Sequence, residues 1–132
     1  VGATESLGLP SIEKRIPWSE KTEVNAILTF DVGIMPLNDT PWEKGKCSYK
    51  LIQYMGCGIP VIASPVGMNV EVVNENDNGF LASSQAEWLA AFENYLSNTV
   101  QQRIHGKNNS IFVEHHFSLK SAQHTYLKAI IN

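Results

Sequence analysis

The run Val32-Gly33-Ile34-Met35-Pro36-Leu37 is apolar without alternation, and Val61-Ile62-Ala63 repeats the pattern after a helical stretch. A strand with one wet face alternates apolar and polar residues. A run that does not alternate suits a strand buried on both faces, as in a parallel sheet covered by helices. Between the two runs, Tyr49–Cys57 reads as a helix with Leu51, Ile52 and Met55 inward, Gly58 as a left-handed cap and Pro60 preventing continuation. Ser64-Pro65-Val66-Gly67 then turns into a brief helix near Asn69–Val73. Asn76-Asp77-Asn78-Gly79 is a turn signal, and Phe80-Leu81-Ala82 the last strand. Strands alternating with helices predict an α/β fold: a Rossmann-like parallel sheet with right-handed crossovers, helices on both faces and a helical C-terminal region.

The flanks extend this pattern. Ile12–Pro17 reads as a short strand that Pro17 ends, giving about four strands in all. Ser19 is placed as the N-cap of a helix carrying Val24, Ile27 and Leu28 on one face. Asn38–Ser48 is polar, holds Pro41 and Gly45, and reads as a loop. Ser84-Gln85-Ala86-Glu87 is a capping box, followed by an apolar face of Trp88, Leu89, Phe92 and Leu96. A second helix covers Thr99–His115, weakened by Gly106 and Asn108-Asn109. A third starts at Ser118 and carries Leu119, Ala122, Tyr126 and Ile130. A length of 132 residues fits one domain, 1–132. So few strands, and an opening Val1-Gly2-Ala3 that resembles a strand end entering a turn, suggest a domain truncated at its N-terminus.

Several functions are disfavoured. A formal net charge of -3 argues against nucleic acid as a partner, since such domains carry a basic face. Cys47 and Cys57 form no CxxC and join no histidine cluster, so no metal site is expected. They fit reduced thiols in a cytoplasmic protein, a disulfide being the alternative. No apolar run approaches the ~20 residues that span a bilayer, and Val1-Gly2-Ala3-Thr4 opens no signal peptide.

Chemistry-bearing residues gather in two loops that lead from strands into helices. Free helix N-terminal N–H groups and the helix dipole favour anions there. In Gly45-Lys46-Cys47-Ser48-Tyr49-Lys50 the glycine opens the backbone to a ligand. Lys46 and Lys50 flank a helix start, where the dipole disfavours cations unless an anion lies between them; the alternative is two solvated lysines. Gln53, one turn beyond Lys50, could bond sugar hydroxyls or simply be solvated. In Pro65-Val66-Gly67-Met68-Asn69, Gly67 can offer an N–H to a ligand oxygen and Asn69 can cap the short helix; a plain turn is equally consistent. Asp39 and Glu43 are the candidate general bases. Trp42 is either an aromatic platform or an anchor for its loop. The four histidines give no catalytic set and read as surface residues. No Walker pattern or GxGxxG is present, which disfavours an NAD-dependent dehydrogenase.

The segments DVGIMPL, KGKCSYKLIQYMGCGIPVIASPVGMNVEVV and NGFL together resemble the C-terminal domain of retaining GT-B glycosyltransferases of the family 4, or group 1, type. The similarity runs from near Arg15 to about Tyr126, and YMGCGIPVIASPVG followed by Glu71 is its most specific piece. It implies a donor-binding half that holds a nucleotide-diphosphate sugar, an N-terminal acceptor half elsewhere in the protein, and hexose transfer to a glycan or lipid-linked acceptor. It implies no metal or other cofactor, and peripheral membrane contact of the full-length protein. By this resemblance Gly45, Lys46, Lys50, Gln53, Gly67, Met68, Asn69 and Glu71 bind the donor. The family carries two glutamates eight apart, and aligned on YMGCG those positions are Gly45 and Gln53. Glu43 is then the nearest catalytic substitute. Basic residues that relatives place after the first strands would fall before or near Val1, so these residues alone are expected to bind donor weakly and not turn over. The alternatives are a non-catalytic GT-B-like partner subunit and a sugar-nucleotide epimerase of the same fold.

Overall fold

Three strands pair in parallel in the computed structural model: β1 (Gly33–Met35), β2 (Val61–Ala63) and β3 (Gly79–Leu81), in the order β1-β2-β3. Val61 is in register with Gly33 on one side and Gly79 on the other. The helices are α1 (Glu23–Ile27), α2 (Pro41–Lys44), α3 (Tyr49–Gly56), α4 (Asn69–Val72), α5 (Gln85–Ser97) and α6 (Thr99–Phe117). The structure describes residues 5, 6, 8, 9, 11–75, 77–123 and 127. They belong to two compact units, Val1–Phe30 and Asp31–Asn132.

In the larger unit β2 is buried along its whole length. Val61 and Ala63 face one cluster with Leu51 and Met55 of α3 and with Val72 and Val73; Ile62 faces another with Ala82, Ala91 and Tyr95. Alternate residues of one strand thus face opposite covers. This is the Rossmann-like arrangement expected, with helices on both faces. β1 departs from expectation. Ile34 keeps 45% of its surface exposed, because β1 lies at an edge of the described sheet rather than between strands.

Glycine makes two close approaches feasible. A Cβ on Gly33 would run into the Tyr54 ring, so α3 lies against β1 only with glycine there. A Cβ on Gly106 would run into the Gly58 carbonyl oxygen. Asn109 Nδ2 donates to the Ile59 carbonyl at 2.9 Å, and Asn108 Nδ2 to the Asp77 carboxylate at 2.7 Å. Gly106 and the two asparagines therefore do not weaken α6, which is continuous; Gly106 and Asn109 meet the α3–β2 turn, and Asn108 the turn before β3. Gly58 has φ +72, the left-handed cap expected.

Other expectations shift. Ile12–Pro17 is not a strand: Ile12 and Glu13 both donate N–H groups to the Leu9 carbonyl in a turn, and Ile12 is 79% exposed. A strand exists by pairing, which local composition does not supply. Thr22 rather than Ser19 stands at the N-cap position of α1, without a side-chain bond to the helix; the Ser19 carbonyl closes a preceding turn. The expected 38–48 loop contains α2, with Thr40 as its cap and Pro41 in its first turn. The α5 capping box is present. Its buried residues are Ala91 and Tyr95, with Trp88 and Phe92 beside them, whereas Leu89 and Leu96 are exposed. Residues 119–123 are helical after Ser118, whose Oγ accepts from the Ser121 N–H at 3.1 Å. The readings at Val1–Thr4, Asn76, His124, Tyr126 and Ile130 lie outside the described residues.

His105 is buried, not a surface residue. The Tyr95 hydroxyl donates to the Val61 carbonyl at 3.5 Å, so the 2.8 Å contact with His105 is assigned as Nδ1–H donating to the phenolic oxygen. That leaves Nε2 to accept from Gln101 Nε2 at 3.4 Å. Burial lowers the imidazole pKa, with the Asp77 carboxylate pulling partly the other way. The unfolded chain therefore takes up this proton first as pH falls. Stability is expected to drop as pH falls through about 6.5 and to level off below the lowered folded value. Urea titrations between pH 8 and 5.5 should show this slope, and His105→Gln should flatten it. An unchanged slope in the variant would assign the pH dependence elsewhere.

Candidate functional site

The carboxyl ends of β1 and β2 open into two loops, and the structure brings those loops together. After β1 the chain forms α2, where Thr40 Oγ1 accepts from the Glu43 N–H at 3.2 Å. It then reaches α3 through Gly45–Ser48. After β2, Ser64–Met68 leads into α4. Gly67 has φ +55, and a Cβ there would lie 2.6 Å from the Lys44 carbonyl oxygen. Glycine is thus required twice at 67, by its left-handed backbone and by the approach of the other loop.

A buried polar chain joins the same segments. The Leu37 N–H donates to Ser64 Oγ at 2.9 Å. Asn69 Nδ2 donates to the Ser64 carbonyl at 2.9 Å, and Ser48 Oγ donates to Asn69 Oδ1 at 2.7 Å. Ser48 and Asn69 are both fully buried. Ser48 precedes α3 in the usual capping position, yet has φ 53 and makes no capping bond to the helix. The first intrahelical bond is from the Ile52 N–H to the Ser48 carbonyl. The N–H groups of the first α3 turn therefore receive no cap from Ser48.

Charged groups line this end of the unit. Lys46 Nζ pairs with Glu43 Oε2 at 2.5 Å, and Lys44 Nζ with Asp39 Oδ1 at 2.8 Å. Lys50 lies half-buried in the first turn of α3. Gln53 is also half-buried, and its Nε2 donates to the Tyr49 hydroxyl at 3.3 Å. Gly45 has ordinary helical φ, and a Cβ there would meet only the Trp42 and Pro41 carbonyls at 3.5 and 3.9 Å. Neither backbone nor packing demands glycine at 45. Met68 packs against the α3–β2 core cluster, and Glu71 is exposed in the first turn of α4. Trp42, 82% exposed, does not anchor its loop to the core. Cys47 and Cys57 are free thiols. Among the described residues no acidic, histidine or cysteine group could hold a metal, and no helix is long and apolar enough to cross a membrane.

The structure brings the loops that carry Lys46, Gly67 and Asn69 together, and adds Ser48 and Ser64, which sequence reasoning did not single out. A serine before a helix ordinarily signals a cap, and nothing local marks one whose φ is positive. Asn69 does not cap α4 with its side chain; the amide is spent on Ser48 and Ser64.

With this geometry in place, the comparisons are informative. Residues 9–98 match the family described as glycosyl transferases group 1. No curated protein matches the chain. Among solved structures, HepE of Anabaena, crystallised in complex with UDP, is 17% identical with a TM-score of 0.63, over 80% of this chain and 28% of that one. The sucrose-phosphate synthase of Thermosynechococcus elongatus is 29% identical with a TM-score of 0.54, over 63% of this chain and 22% of that one. The chain thus spans less than a third of either neighbour.

The two glycines give a contrast. Gly67→Ala, strained at φ +55 and pressed on the Lys44 carbonyl, is expected to cost about 1–3 kcal/mol. Gly45→Ala, at an ordinary φ, should be neutral or stabilise by up to about 1 kcal/mol. Denaturant unfolding of both variants checks this; equal losses would contradict the contact between loops.

Proposed function

The chain belongs to the group 1 glycosyl transferases, and from that premise we propose that it forms the donor-binding half of a retaining enzyme. The donor is a nucleotide-diphosphate sugar. Its hexose passes to a glycan or lipid-linked acceptor held by other parts of the full-length protein.

The observation that carries this reading is the α3 start, whose preceding serine is turned away from it beside Lys46 and Lys50. Transfer breaks the bond between the sugar's anomeric carbon and a diphosphate oxygen. Negative charge then grows on the departing nucleoside diphosphate. Fixed N–H donors and nearby ammonium groups stabilise that charge most where water is excluded. N–H groups of the first α3 turn, which the Ser48 side chain does not cap, supply the fixed donors, and Lys46 and Lys50 the positive charge. The reading needs no metal, because these groups meet the diphosphate charge.

Other residues take roles by position. Gly45 leaves backbone open beside the ligand, and Gln53 faces the ribose or sugar hydroxyls one turn beyond Lys50. Gly67 and Met68 bring the second loop against the first, and Glu71 stands at the start of α4 facing solvent. Glu43, held by its Lys46 pair, serves as the carboxylate on the transfer side. Asn69 acts through Ser48 rather than on the donor.

HepE was crystallised with UDP, which makes UDP and GDP the first probes. Either nucleotide at millimolar concentration should shift the amide NMR signals of Gly45–Lys50 and Gly67–Asn69. Lys50→Ala should weaken that binding about tenfold, the scale of one charge-assisted contact. In the full-length protein, Glu43→Gln should slow transfer at least about tenfold, a typical share for a positioned carboxylate, while leaving those shifts in place. If neither nucleotide moves these amides, the donor-site reading is wrong.

A further inference from the structure

α6 packs inward along one face. His105, Gly106 and Asn109 are buried, and Phe112 and Val113 lie against the core. A helix of this kind ordinarily turns a polar face to water. Here the outward stripe carries Val100, Ile104 and Ile111, which keep 65%, 52% and 44% of their surface exposed. Steps of four and seven residues place all three on one side of the helix. Arg103, Lys107 and Glu114 stand beside them, each exposed. Leu96, just before α6, and Leu119, just after it, are the two most exposed large apolar side chains among the described residues. An apolar surface rimmed by charge in this way marks a place where a partner binds.

We infer that the outer face of α6 is a self-complementary interface that pairs antiparallel with the same face of a second copy of this chain. Ile104 and Ile111 are equidistant from the level between Lys107 and Asn108. In an antiparallel pair centred there, Ile104 of each copy faces Ile111 of the other. Arg103 and Glu114 lie on one flank of the stripe, about 16 Å apart along the axis and so too far to pair within one chain. Neither belongs to an ion pair among the described residues. A two-fold axis perpendicular to the helices brings equal flanks together, so each Arg103 comes within one turn of the partner's Glu114. The two signs also decide between occupants. An anionic membrane or an acidic partner would leave Glu114 repelled, whereas a second copy uses both charges. Lys107 falls beside the two-fold and faces its own copy, which opposes association. A single helix face about 28 Å long is also smaller than a standard interface. The dimer is therefore weak and reversible, with a Kd on the order of 10–100 µM. No residue of the donor site lies on this face, so the two readings stand or fall separately.

Sedimentation equilibrium of the full-length protein, over concentrations that bracket that Kd, should show a monomer–dimer equilibrium. Ile104→Glu places a good helix former at an exposed position, so melting temperature should hardly change while dimerisation is lost. Arg103→Glu and Glu114→Arg should each weaken the dimer about tenfold, because symmetry turns two attractions into two repulsions. The double variant Arg103→Glu/Glu114→Arg should return to within about threefold of the wild type, since the two sites couple only across the interface. Lys107→Gln should tighten the dimer by removing the like-charge contact. A protein that stays monomeric throughout overturns the inference. So does a dimer that Ile104→Glu and the charge reversals leave unchanged, which would use another face. Single reversals that weaken the dimer without rescue in the double variant overturn the antiparallel pairing. A monomer that sediments with vesicles of anionic phospholipid, and no longer does so in Ile104→Glu, gives this face to a membrane and likewise overturns the inference.

Discussion

A strand of three residues with no side chain in water, Val61–Ala63, sets the terms for the larger unit. Its neighbours β1 and β3 satisfy its backbone on both edges, and apolar clusters cover both faces. Full burial of side chains such as Leu51 and Met55 contributes roughly 1.5–3 kcal/mol each. It also forces crossovers over the sheet, because parallel strands cannot be joined by tight turns. The loops that close those crossovers emerge at the carboxyl ends of β1 and β2. The arrangement of the two loops at that end is thus a consequence of how the strand is buried.

What could be read from the sequence was local. Tyr49–Gly56, the Gly58 cap and the Ser84–Glu87 box follow from signals within a few residues, and all three stand in the structure. The box is a strong one: the Ser83 hydroxyl and the Ser84 and Ser83 N–H groups hold Glu87, lowering its carboxyl to about 2. What could not be read was set at a distance. Ile12–Pro17 has strand-like composition but no pairing. Gly106 and Asn109 resemble helix breakers until the α3–β2 turn is packed on them. His105 resembles a surface histidine until Tyr95 and Gln101 enclose it. The α2 cap, Thr40-Pro41, was legible in principle and was masked by the polarity of its surroundings.

The candidate site divides along the same line. Lysines at a helix start and glycines in strand-to-helix turns are sequence signals, and they mark the neighbourhood. The joining of the two loops depends on Ser48, Ser64, Asn69 and the Gly67–Lys44 contact, none of which spacing discloses. Gly45 and Gln53, the positions where the resemblance would place paired glutamates, also gain a physical setting. Gly45 leaves open backbone next to an ion-paired Glu43–Lys46, and Gln53 sits one turn into α3 with its amide on Tyr49.

A crystal structure of the full-length protein with UDP tests the central claim most directly. The account predicts the diphosphate at the start of α3, within hydrogen-bond distance of first-turn N–H groups and of Lys46 or Lys50, with the Gly67 loop beside it. UDP seated instead in the cleft of about 430 Å³ lined by Asp31, Phe92, Tyr95 and Gln102, near the opposite end of β1, would contradict it.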